Sequence, residues 1–174
     1  MTLPIKIQYK WSIDELIDGF KAHVRCSSWA TKFVTPFIPF VGGFMVFGFL
    51  FVTLSGKQSF LSSVPLAVLG IFLLFSNRII YWQLRRNFTK NPNKDAQVTW
   101  IFTEATIHSE GKGFDSNLSW EKVFLFVDAQ KGFLIYPQRG IFYWIPFSSF
   151  AEESEMDCVR QLAKSKVISY RKVG

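Results

Sequence analysis

The chain has 174 residues, enough for one domain of ordinary size, and its 49% apolar and 18% aromatic content with only 19% charged residues excludes a disordered tail. Twenty phenylalanines in so short a chain exceed what a small water-soluble core hides, while two cysteines and two histidines are too few for a disulfide framework or a zinc site. The formal charge of +7 is unevenly placed: Gly19 to Lys94 holds nine Lys or Arg and no acid, and the remainder has eleven bases against thirteen acids.

Ile5, Ile7, Tyr9 and Trp11 alternate with Lys6, Gln8 and Lys10, the period-two pattern of a strand with one covered face. Ser12 followed by Glu15 forms a capping box, so a helix is predicted from Ile13, with Ile13, Leu16, Ile17, Phe20 and Val24 on its apolar face. That helix is expected to lead straight into an apolar span.

Phe33–Leu54 is 22 residues without a charge, about 33 Å of helix, which matches the hydrocarbon thickness of a bilayer. Phe60–Asn77 adds 18 uncharged residues, about 27 Å. This second span is predicted to begin near Val64, with Ser62 or Ser63 as N-cap and Pro65 in the first turn, and to run to Trp82 with Arg78 snorkelling to the interface. The polar stretch Ser55-Gly56-Lys57-Gln58-Ser59 makes the two spans an antiparallel hairpin. Lys21, Arg25 and Lys32 precede the first span, and Arg78, Arg85, Arg86, Lys90 and Lys94 follow the second, against Lys57 alone in the turn. The positive-inside rule then puts both termini in the cytoplasm, with Trp29, Phe33, Tyr81 and Trp82 as aromatic anchors on that side. Pro36, Pro39, Gly42, Gly43 and Gly48 in the first span fit either a close helix–helix seam or an ordinary membrane helix kinked near Pro39. They leave homo-oligomerisation open. Neither span carries an acid or His in its depth, which disfavours transport.

After the basic stretch the pattern turns to strands. Gln97–Thr103 and Ala105–Glu110 read as a tight pair, and Gly111-Lys112-Gly113 turns into Asp115–Trp120. Val123–Asp128 and Phe133–Tyr136 flank the hairpin connection 129–132, and Gln138-Arg139-Gly140 turns into Ile141–Ile145, which Pro146 ends. Met156, Val159, Leu162 and Ala163 recur at helical spacing, with acids Glu152, Glu153, Glu155 and Asp157 at the start and bases Arg160, Lys164 and Lys166 toward the end, as a helix dipole favours. The predicted fold is membrane α+β: a two-span transmembrane helical hairpin inserted after an N-terminal strand and helix, then a small antiparallel roll capped by a C-terminal helix. The corresponding regions are 1–32, the hairpin 33–82, a basic juxtamembrane linker 83–95 and the cytosolic domain 96–174. If the first strand joins the later sheet, the hairpin is an insertion within one domain.

Trp120-Glu121-Lys122-Val123, Phe133-Leu134-Ile135-Tyr136, Ile145-Pro146 and Phe150, in this order of elements, resemble the YcxB-like family of bacterial membrane proteins. The resemblance implies a pleckstrin-homology-like (PH-like) roll on the cytoplasmic side of a helical hairpin. It covers nearly the whole layout, and its motif residues cluster between Trp120 and Phe150. It implies no catalytic residues.

Little in the residues points to catalysis. His23 and His108 have no metal-type neighbours in sequence, no serine sits in a nucleophile elbow, and Gly111-Lys112-Gly113 is too short for a phosphate cradle. No catalytic residue, metal or cofactor is predicted, and the scattered bases of the strands do not form a nucleic-acid footprint. Two surfaces remain as binding candidates. Arg78, Arg85, Arg86, Lys90 and Lys94 suit contact with membrane lipid headgroups or serve topology alone. Phe142, Tyr143 and Trp144 are consecutive on a strand, so they face both sides and leave an aromatic surface for a partner protein, the headgroups or the N-terminal helix. The expected protein is non-catalytic and lies in the cytoplasmic membrane as a multi-pass chain, its cytosolic domain binding a protein or lipid partner. The alternative is an immunity-type protein that protects against a membrane-acting toxin.

Overall fold

The structure, a computed structural model, describes residues 3–26, 29–56 and 60–173. Contacts divide the chain into a sheet unit, Met1–Cys26 with Phe88–Gly174, and a helical unit, Ser27–Asn87.

The sheet unit opens with β1 (Ile5–Lys10) and α1 (Ile13–Cys26) and resumes with β2 (Gln97–Phe102), β3 (Thr106–Gly111), β4 (Phe114–Ser119), β5 (Leu125–Asp128), β6 (Gly132–Gln138) and β7 (Ile141–Pro146). It closes with α4 (Glu153–Lys166) and β8 (Tyr170–Lys172). Two four-stranded sheets form, in the orders β1-β2-β3-β4 and β7-β6-β5-β8. β1 pairs antiparallel with β2, Ile7 opposite Trp100, although the whole apolar region lies between them in sequence. The condition stated from sequence is therefore met: the two long helices are an insertion between neighbouring strands of one sheet.

Period-two burial sets the core. Ile5 and Ile7 of β1 and Val98, Trp100 and Phe102 of β2 point inward with Ile107 of β3, against Phe126, Phe133, Ile135 and Ile145 of the other sheet. Val159 and Ala163 bring α4 onto this core, both fully buried as its helical spacing requires. Trp120 lies not in β4 but in the short 3-10 turn Trp120–Lys122, where its buried indole donates to the Thr103 carbonyl at 2.9 Å. β6 is buried along Gly132–Tyr136 because both its faces are covered: Phe133 and Ile135 meet the inter-sheet core, while Leu134 and Tyr136 belong to a second cluster with Cys26, Val127 and Trp144.

The capping box at α1 forms by half. Ser12 Oγ accepts the Glu15 N–H at 3.3 Å, but the Glu15 carboxylate accepts from Trp144 Nε1 at 2.9 Å. The expected apolar face of α1 is not the face that docks. Gly19 and Cys26 are buried against sheet residues with Ala22 and His23 beside them, whereas of Ile13, Leu16, Ile17, Phe20 and Val24 only Ile17 is buried. The cause is bulk, since the sheet presents Trp144, Phe142 and Tyr136 there. A Cβ on Gly19 would lie 2.8 Å from Trp144 Cγ, so only a small residue admits the indole.

In the helical unit, α2 (Trp29–Leu54) runs through Pro36 and Pro39, and α3 (Phe60–Lys90) contains Pro65. α3 continues past both expected limits: Ser63 lies inside the helix instead of capping it, and the segment 83–90, expected as linker, is helical. At 1.5 Å per residue α3 is about 46 Å long. The helices meet at glycines. A Cβ on Gly42 would lie 2.6 Å from the Gly70 carbonyl oxygen, and one on Gly70 would lie 2.9 Å from that of Gly42, the close seam that small residues permit. Leu74 also flanks Gly42, and Met45 and Val46 flank Gly70, which makes the pair antiparallel. Lys57, Gln58 and Ser59 of the turn, Ser27 and Ser28 between α1 and α2, and the side chains of Trp29, Lys32 and Phe33 lie outside the described residues.

Candidate functional site

Three features stand out, and the first is the basic end of α3. Arg78, Arg85, Arg86 and Lys90 are exposed on this helix, and Lys94 is exposed in the turn that follows. At 100° per residue the four helical bases fall within an arc of about 140°. Trp82 lies inside that arc, with the Arg86 guanidinium 5.2 Å from its ring centroid. Cations and an indole on one helix side form the kind of belt that suits a lipid–water interface.

The second is the aromatic run of β7, which proves to be largely covered. Trp144 is buried beneath Gly19 and held by Glu15. Phe142 stacks on His23 with centroids 4.6 Å apart. Tyr143, on the opposite face of the strand, meets the Trp100 ring edge-on at 5.4 Å. Of the surfaces weighed for these residues, the N-terminal helix is the one that meets Phe142 and Trp144, so Trp144 is not free for a partner. Burial lowers the pKa of His23 below its ordinary 6.5. Burial foremost, with nearby Cys26 adding to it and Arg171 opposing, raises that of Tyr136. The protonated phenol and the neutral ring share a hydrogen bond of 2.8 Å between the Tyr136 hydroxyl and His23 Nδ1. The dock is extended by Lys131 to Asp18 at 2.9 Å and by Arg171 to the Cys26 carbonyl at 3.3 Å.

The third was not legible in the sequence. A half-open cavity of about 470 Å³ lies within the sheet unit. Tyr9 and Trp11 line it from the end of β1, Leu16 and Gly19 from α1, and Val98 and Trp100 from β2. Asn91, Asn93 and Ala96 join from the turn before β2, with Phe114 and Ser116 from β4 and Phe142, Tyr143 and Trp144 from β7. The Tyr9 hydroxyl donates to the Trp144 carbonyl at 2.5 Å. Burial holds that phenol protonated, against the neighbouring Trp100 indole and with the help of the Glu15 carboxylate. Each lining residue had a plausible role as strand or core on its own; what joins them is distance in sequence closed by the fold.

The remaining residues weighed from sequence are scattered. His108 Nδ1 is 3.5 Å from Asp115 Oδ1 across the β3–β4 pair. Cys26 is buried and Cys158 half-buried, and neither is in a disulfide. Glu153 and Glu155 occupy the first turn of α4, where Glu155 accepts the Ala151 N–H at 3.1 Å.

Compared with protein families, residues 102–162 match the YcxB-like protein family, from the last residue of β2 into α4. The match contains every motif residue on which the resemblance rested. No curated protein and no solved structure matches the chain.

Proposed function

We propose that this is a non-catalytic integral protein of the cytoplasmic membrane. In this reading α2 and α3 cross the bilayer, both termini are cytoplasmic, and the sheet unit is a PH-like roll that binds a protein or lipid partner at the inner membrane surface. The stretches Pro36–Leu54 and Ser63–Lys90 are long and apolar enough to span, and of an apolar 18-residue window in each only 6% and 11% is buried within the protein. Among the described residues, the exposed large apolar side chains lie on these helices, all but Phe114, Ile141 and Ile168. In water such a surface would drive aggregation; in lipid it is solvated.

The observation that carries the topology is the pairing of β1 with β2. Two strands sharing a ladder lie on one side of a bilayer, so whatever is inserted between them leaves and returns on that side, as an even number of spans does. The uneven distribution of bases selects the cytoplasm. Two sheets whose shared core takes in Val159 and Ala163 of α4 support a roll of PH-like type.

Single cysteines at Ser55 and Ser165, in a chain whose Cys26 and Cys158 are replaced by Ala, test this. An impermeant maleimide applied to intact cells should modify the cysteine at 55 and spare that at 165, with the pattern reversed in inverted vesicles. Modification at 165 in intact cells would refute the topology.

A further inference from the structure

The cavity has no part in the membrane topology, and its chemistry points to an occupant. Its walls are dominated by the rings of Trp11, Trp100, Phe142 and Trp144, and among the described residues no Lys, Arg, His, Asp or Glu lines it. An ion entering would lose its hydration with no countercharge to replace it, so charged ligands are disfavoured. Apart from tyrosine hydroxyls and indole N–H groups, its polar side chains are Asn91, Asn93 and Ser116, all uncharged. The volume lies within the range of small-molecule sites, which are mostly apolar with a few placed polar groups.

The walls are also pinned in place. Trp144 is fixed by Glu15, Tyr9 by the Trp144 carbonyl, and Tyr143 packs edge-on against Trp100. A cavity whose side chains are held by one another and by Glu15 behind them is preformed, so a ligand need not order it on binding.

We infer that this cavity binds a neutral, mainly hydrocarbon or aromatic small molecule with one uncharged hydrogen-bonding end, such as a carbonyl or hydroxyl, which Asn91, Asn93 and Ser116 receive.

Benzophenone, a neutral aromatic ketone that inserts into nearby C–H bonds on irradiation, is a direct probe of the full chain in detergent. Peptides containing Leu16, Val98 and Tyr143 should be labelled in a saturable manner. Ser116→Phe and, as a second filling change, Ala96→Phe should each lower that labelling about tenfold or more, because the added ring occupies the site. Labelling of α2 and α3, which the probe reaches through the micelle, should stay unchanged and serves as the internal reference. Labelling of the sheet unit that rises linearly with probe, or that persists in both variants, would overturn the assignment. So would displacement of the probe by benzyltrimethylammonium as effective as that by its neutral isostere neopentylbenzene.

Discussion

Arg160 ties α4 to the second sheet. Its Nε donates to the buried Asp128 carboxylate at 3.0 Å, its Nη1 to Asp157 at 2.8 Å, and its guanidinium lies over Phe133 and Phe147. Burial alone would lower the Arg160 pKa, but the two carboxylates outweigh it and raise the pKa. Tyr170 of β8 donates to the same Asp128 oxygen, and its own pKa is pushed up to about 12 by burial and by that carboxylate, against Arg160. Arg160→Ala removes the cation and leaves a buried carboxylate held by one hydroxyl, at a cost of about 3 kcal/mol. Near-UV circular dichroism melts of the full chain should report it; a variant as stable as the parent would show that Asp128 is compensated elsewhere. His23 gives a second prediction at this scale. Its folded pKa lies below the ordinary 6.5, so above that value it contributes no pH dependence. As pH falls from about 6.5 toward the folded pKa, the unfolded chain takes up a proton that the folded chain refuses, and stability declines. His23→Gln should flatten that part of the stability–pH curve, and an unchanged slope would exclude His23 as its origin. In sequence Arg160 read as a favourable charge near a helix end and His23 as a lone histidine; Asp128, which Arg160 holds, and Tyr136, which His23 meets, are 32 and 113 residues away.

At the scale of elements, the seam between α2 and α3 depends on the absence of side chains. Gly42→Leu would drive a branched chain into the Gly70 carbonyl and should weaken the helix pair by about 1–3 kcal/mol in SDS-titrated unfolding from mixed micelles. Gly48 faces open space, so Gly48→Leu is the control and should leave the midpoint in place. Equal loss in both variants would mean that glycine content, and not the seam, is what matters. Strand periodicity, with the turn residues between runs, located β1 to β7 to within a residue or two. β8 escaped it: Tyr170-Arg171-Lys172 has no alternating apolar pattern, and it exists because its backbone pairs parallel with β5 while Tyr170 stacks on Phe126. The docking face of α1 escaped for a related reason. Helical periodicity finds the greasiest side of a helix, whereas docking here selected the side small enough to accept Trp144.

For the whole molecule, the exposed bases at the end of α3 make a prediction about lipid. Each base near an anionic leaflet contributes about 1 kcal/mol, so Arg85, Arg86, Lys90 and Lys94 together are worth up to about 4 kcal/mol. In nanodiscs of phosphatidylglycerol the full chain should melt higher than in phosphatidylcholine, and replacing the four by Gln should abolish that difference. A difference that survives would confine these residues to setting topology. Apolar length, charge asymmetry and hydrophobic period are properties of short windows, and each window carries its own transfer free energy; the two long helices, strands β1 to β7, α4 and the family resemblance were therefore determined by sequence alone. Tertiary structure decided which strand pairs with which across the insertion, which side of α1 is buried, the partner of Asp128 and the walls of the cavity. Those depend on contacts between residues far apart in the chain, where shape and space, not local composition, choose the neighbour.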